Sequence, residues 1–279
     1  MQAHQAHLSR WSAPPAVTAS IGLHAVAAGA AVFVPGALWW ALGGIALNQV
    51  GLAVAGLWPR SRLLGPNWTR LPDAAVQRRQ FALTLDDGPD PEVTPRVLDL
   101  LDAHRTRATF FCIAERAQAA PALVREIVAR GHDVQNHSHS HRHHFALLGP
   151  RALAREIDRA QRVLADLTGV RPHCFRAPAG LRNPFLDPVL HAQNLNLVSW
   201  TRRGFDTVSD DADRVLARLT RGMAAGDIVL LHDGHARRDA RGVPVVLEVL
   251  PRLLAQASAL GLAGATLRDA VPQRASGWA

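Results

Sequence analysis

The stretch Phe81-Ala82-Leu83-Thr84-Leu85-Asp86-Asp87-Gly88-Pro89 decides how this chain reads. An apolar run leads into two adjacent carboxylates and then into Gly-Pro, the pattern of a buried strand that ends in a turn. Neighbouring strand residues point to opposite sides, so an acidic pair at a strand end can divide its duties, one carboxylate gripping while the other reacts. Asp-Gly-Pro alone is also ordinary turn chemistry, and the pair gains meaning from what surrounds it.

From Gln80 onward, apolar strands alternate with amphipathic helices. Strand patterns fall at 80–86, 108–113, 132–137, 173–177, 195–200, 227–232 and 263–267. Helical patterns lie near 93–104, 118–130, 151–168, 185–193, 210–224 and 243–260. Within 151–168, Leu153, Ile157, Ala160 and Leu164 recur at helical spacing. The alternation predicts an α/β fold with parallel strands and helices outside, as a barrel or an open doubly wound sheet. No Gly-rich phosphate fingerprint follows the first strand, which argues against a dinucleotide fold.

Functional residues of a parallel barrel collect at the C-terminal ends of its strands. Here those ends carry Asp86-Asp87, then His137-Ser138-His139-Ser140-His141, then Arg176-Ala177-Pro178-Ala179-Gly180, then Trp200 followed by Asp206, and finally Leu230-Leu231-His232-Asp233. Two histidines and a carboxylate suit a divalent metal with open positions. His137 and His141 are four apart, and one helical turn would put both on one face. His139, His143 and His144 crowd the same segment, so spacing alone does not choose the pair, and a solvated His-rich loop is the plain alternative. Asp206 also reads as a helix N-cap, Arg176 as a surface ion pair, and His232-Asp233-Gly234 as a turn.

The set Thr-Leu-Asp-Asp-Gly-Pro, His-Ser-x-x-His, Arg-x-Pro-x-Gly and Leu-x-His resembles the NodB-type polysaccharide deacetylases, carbohydrate esterase family 4, over roughly residues 80–270. The resemblance implies a distorted (β/α) barrel of about seven strands and metal-dependent hydrolysis of N-acetyl groups on amino sugars. By the same resemblance, Asp87, His137 and His141 would hold the metal, most often Zn2+, with Co2+, Mn2+ or Ni2+ as alternatives. Asp86 would be the general base and His232 the general acid. Arg176 would orient Asp86, and Asp206 would hydrogen-bond His232 and raise its pKa. The backbone N–H of Ala179 would receive the oxyanion, while Trp200 and Leu230 would wall the acetyl pocket. Two positions depart from the family pattern: Ala179 stands where an aromatic is frequent, and Asp206-Thr207 replaces Asp-Trp. With aromatics at only 5% and no tyrosine, a long sugar-stacking groove is less expected than a small headgroup site.

The N-terminal region reads differently. From Trp11 to Pro59 there is no Asp, Glu, Lys or Arg, and His24, Asn48 and Gln49 are the strongly polar interruptions. Pro35-Gly36 divides the stretch into 14–34 and 37–58, each about the ~20 residues that cross a bilayer as a helix. Trp39, Trp40 and Trp58 stand near the proposed ends, as interfacial tryptophans do. The expected organisation is therefore a membrane hairpin over 1–59, a linker over 60–79 and a deacetylase-like domain over 80–279. Arg10 precedes the first span, and Arg60, Arg62, Arg70, Arg78 and Arg79 follow the second. The positive-inside tendency then places both termini in the cytoplasm, with the domain against the bacterial inner membrane. If only one segment spans, the domain faces the periplasm.

Net charge is +8, and every Lys-or-Arg position is arginine. No zinc-finger, RNP-like or helix-turn-helix pattern accompanies this basicity, so nucleic acid is not the expected partner. An anionic membrane face or a phosphate-bearing substrate fits it. Arg202, Arg203, Arg237, Arg238 and Arg241 flank the expected site and are candidates to contact a carrier phosphate. The expected substrate is a polyprenyl-phosphate-linked N-acetylhexosamine used in lipid A or another envelope glycan. The alternatives are a periplasmic peptidoglycan or polysaccharide N-deacetylase and a non-catalytic, membrane-held sugar-binding module. Cys112 and Cys174 lie in expected core strands and read as buried free thiols.

Overall fold

The computed structural model describes residues 11–272. It begins with two apolar helices, α1 (Pro15–Phe33) and α2 (Leu38–Leu57), antiparallel across a turn at Gly36. Both are long and apolar enough to cross a membrane, and only 11% of each is buried. The outward side chains are apolar to the tip: Phe33 is 84% exposed and Trp40 86%. The polar interruptions meet one another between the helices. Asn48 donates to Ser20 Oγ at 2.8 Å, and His24 Nδ1 donates to the Ser20 carbonyl at 2.7 Å. Gln49 donates to His24 Nε2 at 3.2 Å. Pairing polar groups internally is what a helix pair in an apolar medium requires. Arg10, on which part of the orientation argument rests, lies outside the described residues.

A short helix α3 (Asp73–Gln77) leads into β1 (Gln80–Asp86). There follow α4 (Val93–Ala103), β2 (Thr109–Cys112), α5 (Ala114–Ala119), α6 (Pro121–Ala129), β3 (Asp133–Asn136), α7 (Pro150–Thr168), β4 (Cys174–Phe175) and α8 (Leu186–Ala192). The chain closes with β5 (Asn196–Leu197), β6 (Arg202–Arg203), α9 (Ala212–Thr220), β7 (Ile228–His232), α10 (Val245–Ala259), β8 (Ala263–Gly264) and α11 (Leu267–Ala270). Seven strands form a curled parallel sheet in the order β5-β4-β3-β2-β1-β7-β6, and β8 joins the start of β1. β1 is central, and Ala82, Leu83, Leu85, Phe110 and Leu231 around it are fully buried. Cys112 and Cys174 are buried free thiols whose pKa burial pushes well up, which leaves them inert.

Three differences from the sequence reading have physical causes. The helix expected at 118–130 is two helices, because Pro121 brings no N–H and starts α6 instead of continuing α5. β6 carries no apolar alternation; it is a strand only because Arg202 and Arg203 pair with Val229 and Leu230 of β7. Part of the 60–79 stretch does more than connect. Trp68 N–H donates to the Leu197 carbonyl, Ser199 N–H to the Trp68 carbonyl, and Leu71 N–H to the Gly226 carbonyl. This segment bridges the end of β5 and the residues just before β7, on the side where the sheet's edge strands β5 and β6 do not pair with each other.

Candidate active site

The parallel register puts the reactive residues at one level. Asp86 pairs across the sheet with His232 and with Phe111, and Asn136, just before His137, pairs with Phe175, just before Arg176. A cleft of about 190 Å³ opens there, with Asp86, Asp87, His137, His141, Trp200 and His232 among its walls. Leu230, Ala179, Arg203, Thr207 and His235 also line it.

Asp87, His137 and His141 converge. Their ligand atoms lie within 4.8 Å of one another. His137 Nε2 is 3.3 Å and His141 Nε2 3.1 Å from Asp87 Oδ1. His137 Nδ1 donates to the Arg176 carbonyl at 2.8 Å, which turns its Nε2 lone pair toward Asp87. Asp87 Oδ1 is buried and has no hydrogen-bond donor. A hard oxygen left without a donor beside two imidazole nitrogens fits a divalent cation bound about 2 Å from each. The pair is not set on a helical turn. His137 to His141 is a loop after β3, bent by positive φ at Ser138 (66°) and His141 (47°). His139 turns away toward Glu115 at 3.5 Å.

Charge shapes each ligand. Burial would raise the Asp87 carboxyl, but His137 and His235 beside it hold it well below the usual carboxylate range. Burial pushes His141 down to about 4, so its nitrogen is free to coordinate. At His137 burial works downward too, and the charges of Asp86 and Asp87 override it and raise the pKa. Metal binding would displace that proton.

Asp86 is held by a fully buried arginine. Arg176 Nη1 donates to Asp86 Oδ1 at 2.6 Å and to Thr84 Oγ1 at 2.8 Å. Its Nη2 donates to the Ser199 carbonyl at 2.9 Å, and its guanidinium lies 4.1 Å over the Phe111 ring. With Oδ1 taken, Oδ2 is the oxygen Asp86 offers to the cleft. Arg176 is therefore no surface ion pair.

His232 and Asp206 form the second couple. Asp206 accepts from His232 Nδ1–H at 2.9 Å and from the His232 backbone N–H at 2.8 Å. It is not a helix cap; Asp211 caps α9 by accepting from Arg214 N–H. Burial opposes charge on His232, but Asp206 outweighs it and raises the pKa to about 9. The imidazole binds its proton more tightly folded than unfolded, so this couple stabilises the protein below the unfolded value near 6.5, and the gain is lost as pH rises through about 9.

Ala179 adopts φ 54°, a left-handed conformation that is strained for a residue with a Cβ. The loop is wedged in place. A Cβ on neighbouring Gly180 would lie 2.5 Å from Trp200 and 2.8 Å from Pro59, so only glycine fits. Gly88 is needed for the same reason: its Cβ would lie 2.2 Å from Asp233, buried beneath the Asp86-Asp87 turn.

Two residues escaped the sequence reading. Arg116 Nη1 donates to the Asp87 carbonyl at 2.8 Å, and Nη2 donates to His235 Nε2 at 2.6 Å. With Nε2 accepting, His235 carries its proton on Nδ1, which faces Asp87 Oδ2 at 3.3 Å. The pair clamps Asp87, whose own φ is 70°. His235 stood three residues past His232, and nothing in the sequence tied Arg116 to it. Arg116→Ala is expected to weaken metal affinity by about 10- to 100-fold, the usual effect of losing an outer hydrogen-bond partner. A chelator competition titration reads this; unchanged affinity would show that the clamp does not support the ligand.

Of the arginines expected to reach a carrier phosphate, most are otherwise engaged. Arg202 is paired with Asp227 and with the Arg221 and Gly222 carbonyls. Arg238 pairs with Glu92, and Arg241 with Asp239 and Glu248. The sequence could not show this, because each partner comes from a distant segment or a local turn.

The polysaccharide deacetylase family pattern matches residues 73–198. A peptidoglycan-N-acetylglucosamine deacetylase of Bacillus cereus is 32% identical over 178 residues, covering 63% of this chain and 82% of its own length. A chitooligosaccharide deacetylase of Sinorhizobium fredii is 38% identical over 164 residues, covering 54% of this chain and 71% of its own. Among solved structures, a peptidoglycan N-acetylglucosamine deacetylase crystallised with a naphthyl N-hydroxybenzamide superposes with a TM-score of 0.66 at 26% identity, over 73% of this chain and 92% of that one.

Proposed function

This chain belongs to the polysaccharide deacetylase family, and we propose that it removes the N-acetyl group from an amino sugar carried on a membrane polyprenyl phosphate. One observation supports the lipid-borne substrate most: the base of the apolar hairpin is built into the rim of the cleft. Arg182 N–H donates to the Gly56 carbonyl at the end of α2, and the Arg182 guanidinium binds the Ser61 carbonyl. Pro59 packs against Gly180, and its carbonyl accepts from Ser199 Oγ at 2.6 Å. An active site fastened this closely to two bilayer-length helices meets substrates at the membrane surface.

In this reading Asp87, His137 and His141 hold a divalent ion, Zn2+ by donor type. When bound, such an ion acidifies water and polarises the acyl oxygen. Asp86, steadied by Arg176, takes the proton from the attacking water through Oδ2. The Ala179 N–H offers a hydrogen bond to the oxyanion as the carbonyl carbon becomes tetrahedral. Trp200 and Leu230 enclose the methyl group. His232, charged through Asp206, gives its Nε2 proton to the departing amine, and the C–N bond breaks to yield acetate and the free amino sugar.

The acid must stay protonated, so activity has an alkaline limb governed by His232. Asp206→Asn removes both the charge and the carboxylate acceptor. The limb is expected to move to lower pH, and kcat at pH 8 to fall by about 10- to 100-fold, within the range of a general-acid contribution. Wild type and variant are compared under the same metal load. A limb that does not move would assign the acid role elsewhere.

A second reading, deacetylation of peptidoglycan or an exported polysaccharide, is favoured by the names of the relatives and needs the opposite topology. A reporter fused to the C-terminus separates the two: activity only when cytoplasmic supports the first. Mass spectrometry of envelope lipids is the direct test. Cells with active protein should lack one acetyl group on a lipid-borne hexosamine; an unchanged lipid profile with altered wall glycan would establish the second reading. A purified, metal-loaded protein that releases no amine from any N-acetyl sugar would instead fit a sugar-binding module.

A further inference from the structure

Arg203 differs from its basic neighbours. It lines the cleft together with Trp200, Leu230 and His232. Among the described residues no carboxylate lies within ion-pair distance of it, whereas Arg176, Arg202, Arg238 and Arg241 each have one; Arg237 has none either, but it is exposed and does not line the cleft. Its Nε is buried with no hydrogen-bond acceptor. The guanidinium lies 5.2 Å from the Trp200 ring centroid and 4.8 Å from that of Phe205. Aromatic faces on a guanidinium fix its plane and leave the N–H groups at its edge for a ligand. That edge is planar and forked, and it matches two oxygens of a phosphate. The strand register adds position: Arg203 pairs with Leu230, two residues before His232 on β7. A group bound at Arg203 therefore lies on the same sugar whose nitrogen faces His232, or on its immediate substituent.

We propose that Arg203 is the anion receptor of this cleft and takes a phosphate ester carried by the N-acetyl sugar. The proposal rests on the deacetylase reading above and narrows its substrate class to amino-sugar phosphates. The hairpin at the cleft rim favours a phosphate joined to lipid over a soluble sugar phosphate, though the contact made at Arg203 is the same for both.

The test uses the full chain in detergent with three probes: polyprenyl-phosphate-linked N-acetylglucosamine, soluble N-acetylglucosamine 1-phosphate and neutral methyl N-acetylglucosaminide. The readout is the ratio of kcat/KM on each phosphorylated probe to that on the neutral one. In Arg203→Gln this ratio should fall by about 30-fold, as expected for losing a charge-assisted hydrogen-bond pair, and the change should lie in KM. Arg203→Lys should fall between Gln and wild type, because it keeps the charge without the fork. Wild-type KM for the phosphorylated probes should rise with ionic strength while that for the neutral probe stays level, a measurement that needs no variant. A ratio unchanged within about twofold in Arg203→Gln, or a wild type that prefers the neutral probe, overturns the inference and leaves the deacetylase reading standing. Turnover of none of the three defeats that reading and the inference with it. A larger ratio for the lipid-linked than for the soluble phosphate identifies the bilayer as the source; the reverse removes the lipid from the proposal.

Discussion

An Asp86→Asn enzyme is expected to keep its metal and lose about three orders of magnitude in kcat, within the range a positioned general base contributes. The two carboxylates of the Asp86-Asp87 pair have been separated by their surroundings. Asp87 Oδ1 sits between two imidazole nitrogens, at 3.3 and 3.1 Å. Asp86 is aimed instead at Arg176, 2.6 Å from Oδ1, and its other oxygen stays 3.9 Å from His137 Nε2. Asparagine preserves size and an acceptor for Arg176 but cannot take up a proton. Metal content by elemental analysis and kcat by amine release should therefore part company. Loss of metal together with activity would make Asp86 a ligand, and activity within about tenfold of wild type would move the base elsewhere.

Arg176→Met is expected to cost about 3–5 kcal/mol of stability, because it leaves the Asp86 carboxylate buried without its cation. Arg176 is 1% exposed and Asp86 3%, so water cannot replace the lost partner. Thr84 Oγ and the Ser199 carbonyl lose a donor in the same step. For a chain of this size the melting temperature should fall by roughly 10 °C. The double variant Asp86→Asn/Arg176→Met should be more stable than Arg176→Met alone, since removing both charges removes the unpaired one. Thermal denaturation of the three variants in detergent reads the coupling. A single variant that loses less than about 1 kcal/mol, or costs that simply add in the double, would mean that the two charges are not coupled.

Much of this site was visible in the chain itself because it sits where periodicity is strong. β1 is mostly apolar and buried from Phe81 to Asp86, so its end, and the carboxylates on it, could be read from hydropathy and Gly-Pro alone. The helix at Pro150–Thr168 was equally plain, bounded by Pro150 at its start and Gly169 at its left-handed end. Other features left no local trace. The choice of His137 and His141 over their neighbours depends on positive φ at Ser138 and His141, which a helical-spacing argument cannot foresee. β6 exists through pairing with β7, and the 67–71 bridge through bonds to Leu197 and Gly226.

The arginines make the division clearest. Composition and motif order alone showed a basic chain with two bilayer-length apolar segments and an acid and imidazole set at the ends of parallel strands. Which arginine is free to receive a ligand was decided only by folding: Arg202 and Arg203 are adjacent in the chain, yet Arg202 meets Asp227 whereas Arg203 meets two aromatic rings and the cleft. Side chains of successive strand residues leave the backbone on opposite faces, and what waits on each face comes from segments far away in sequence.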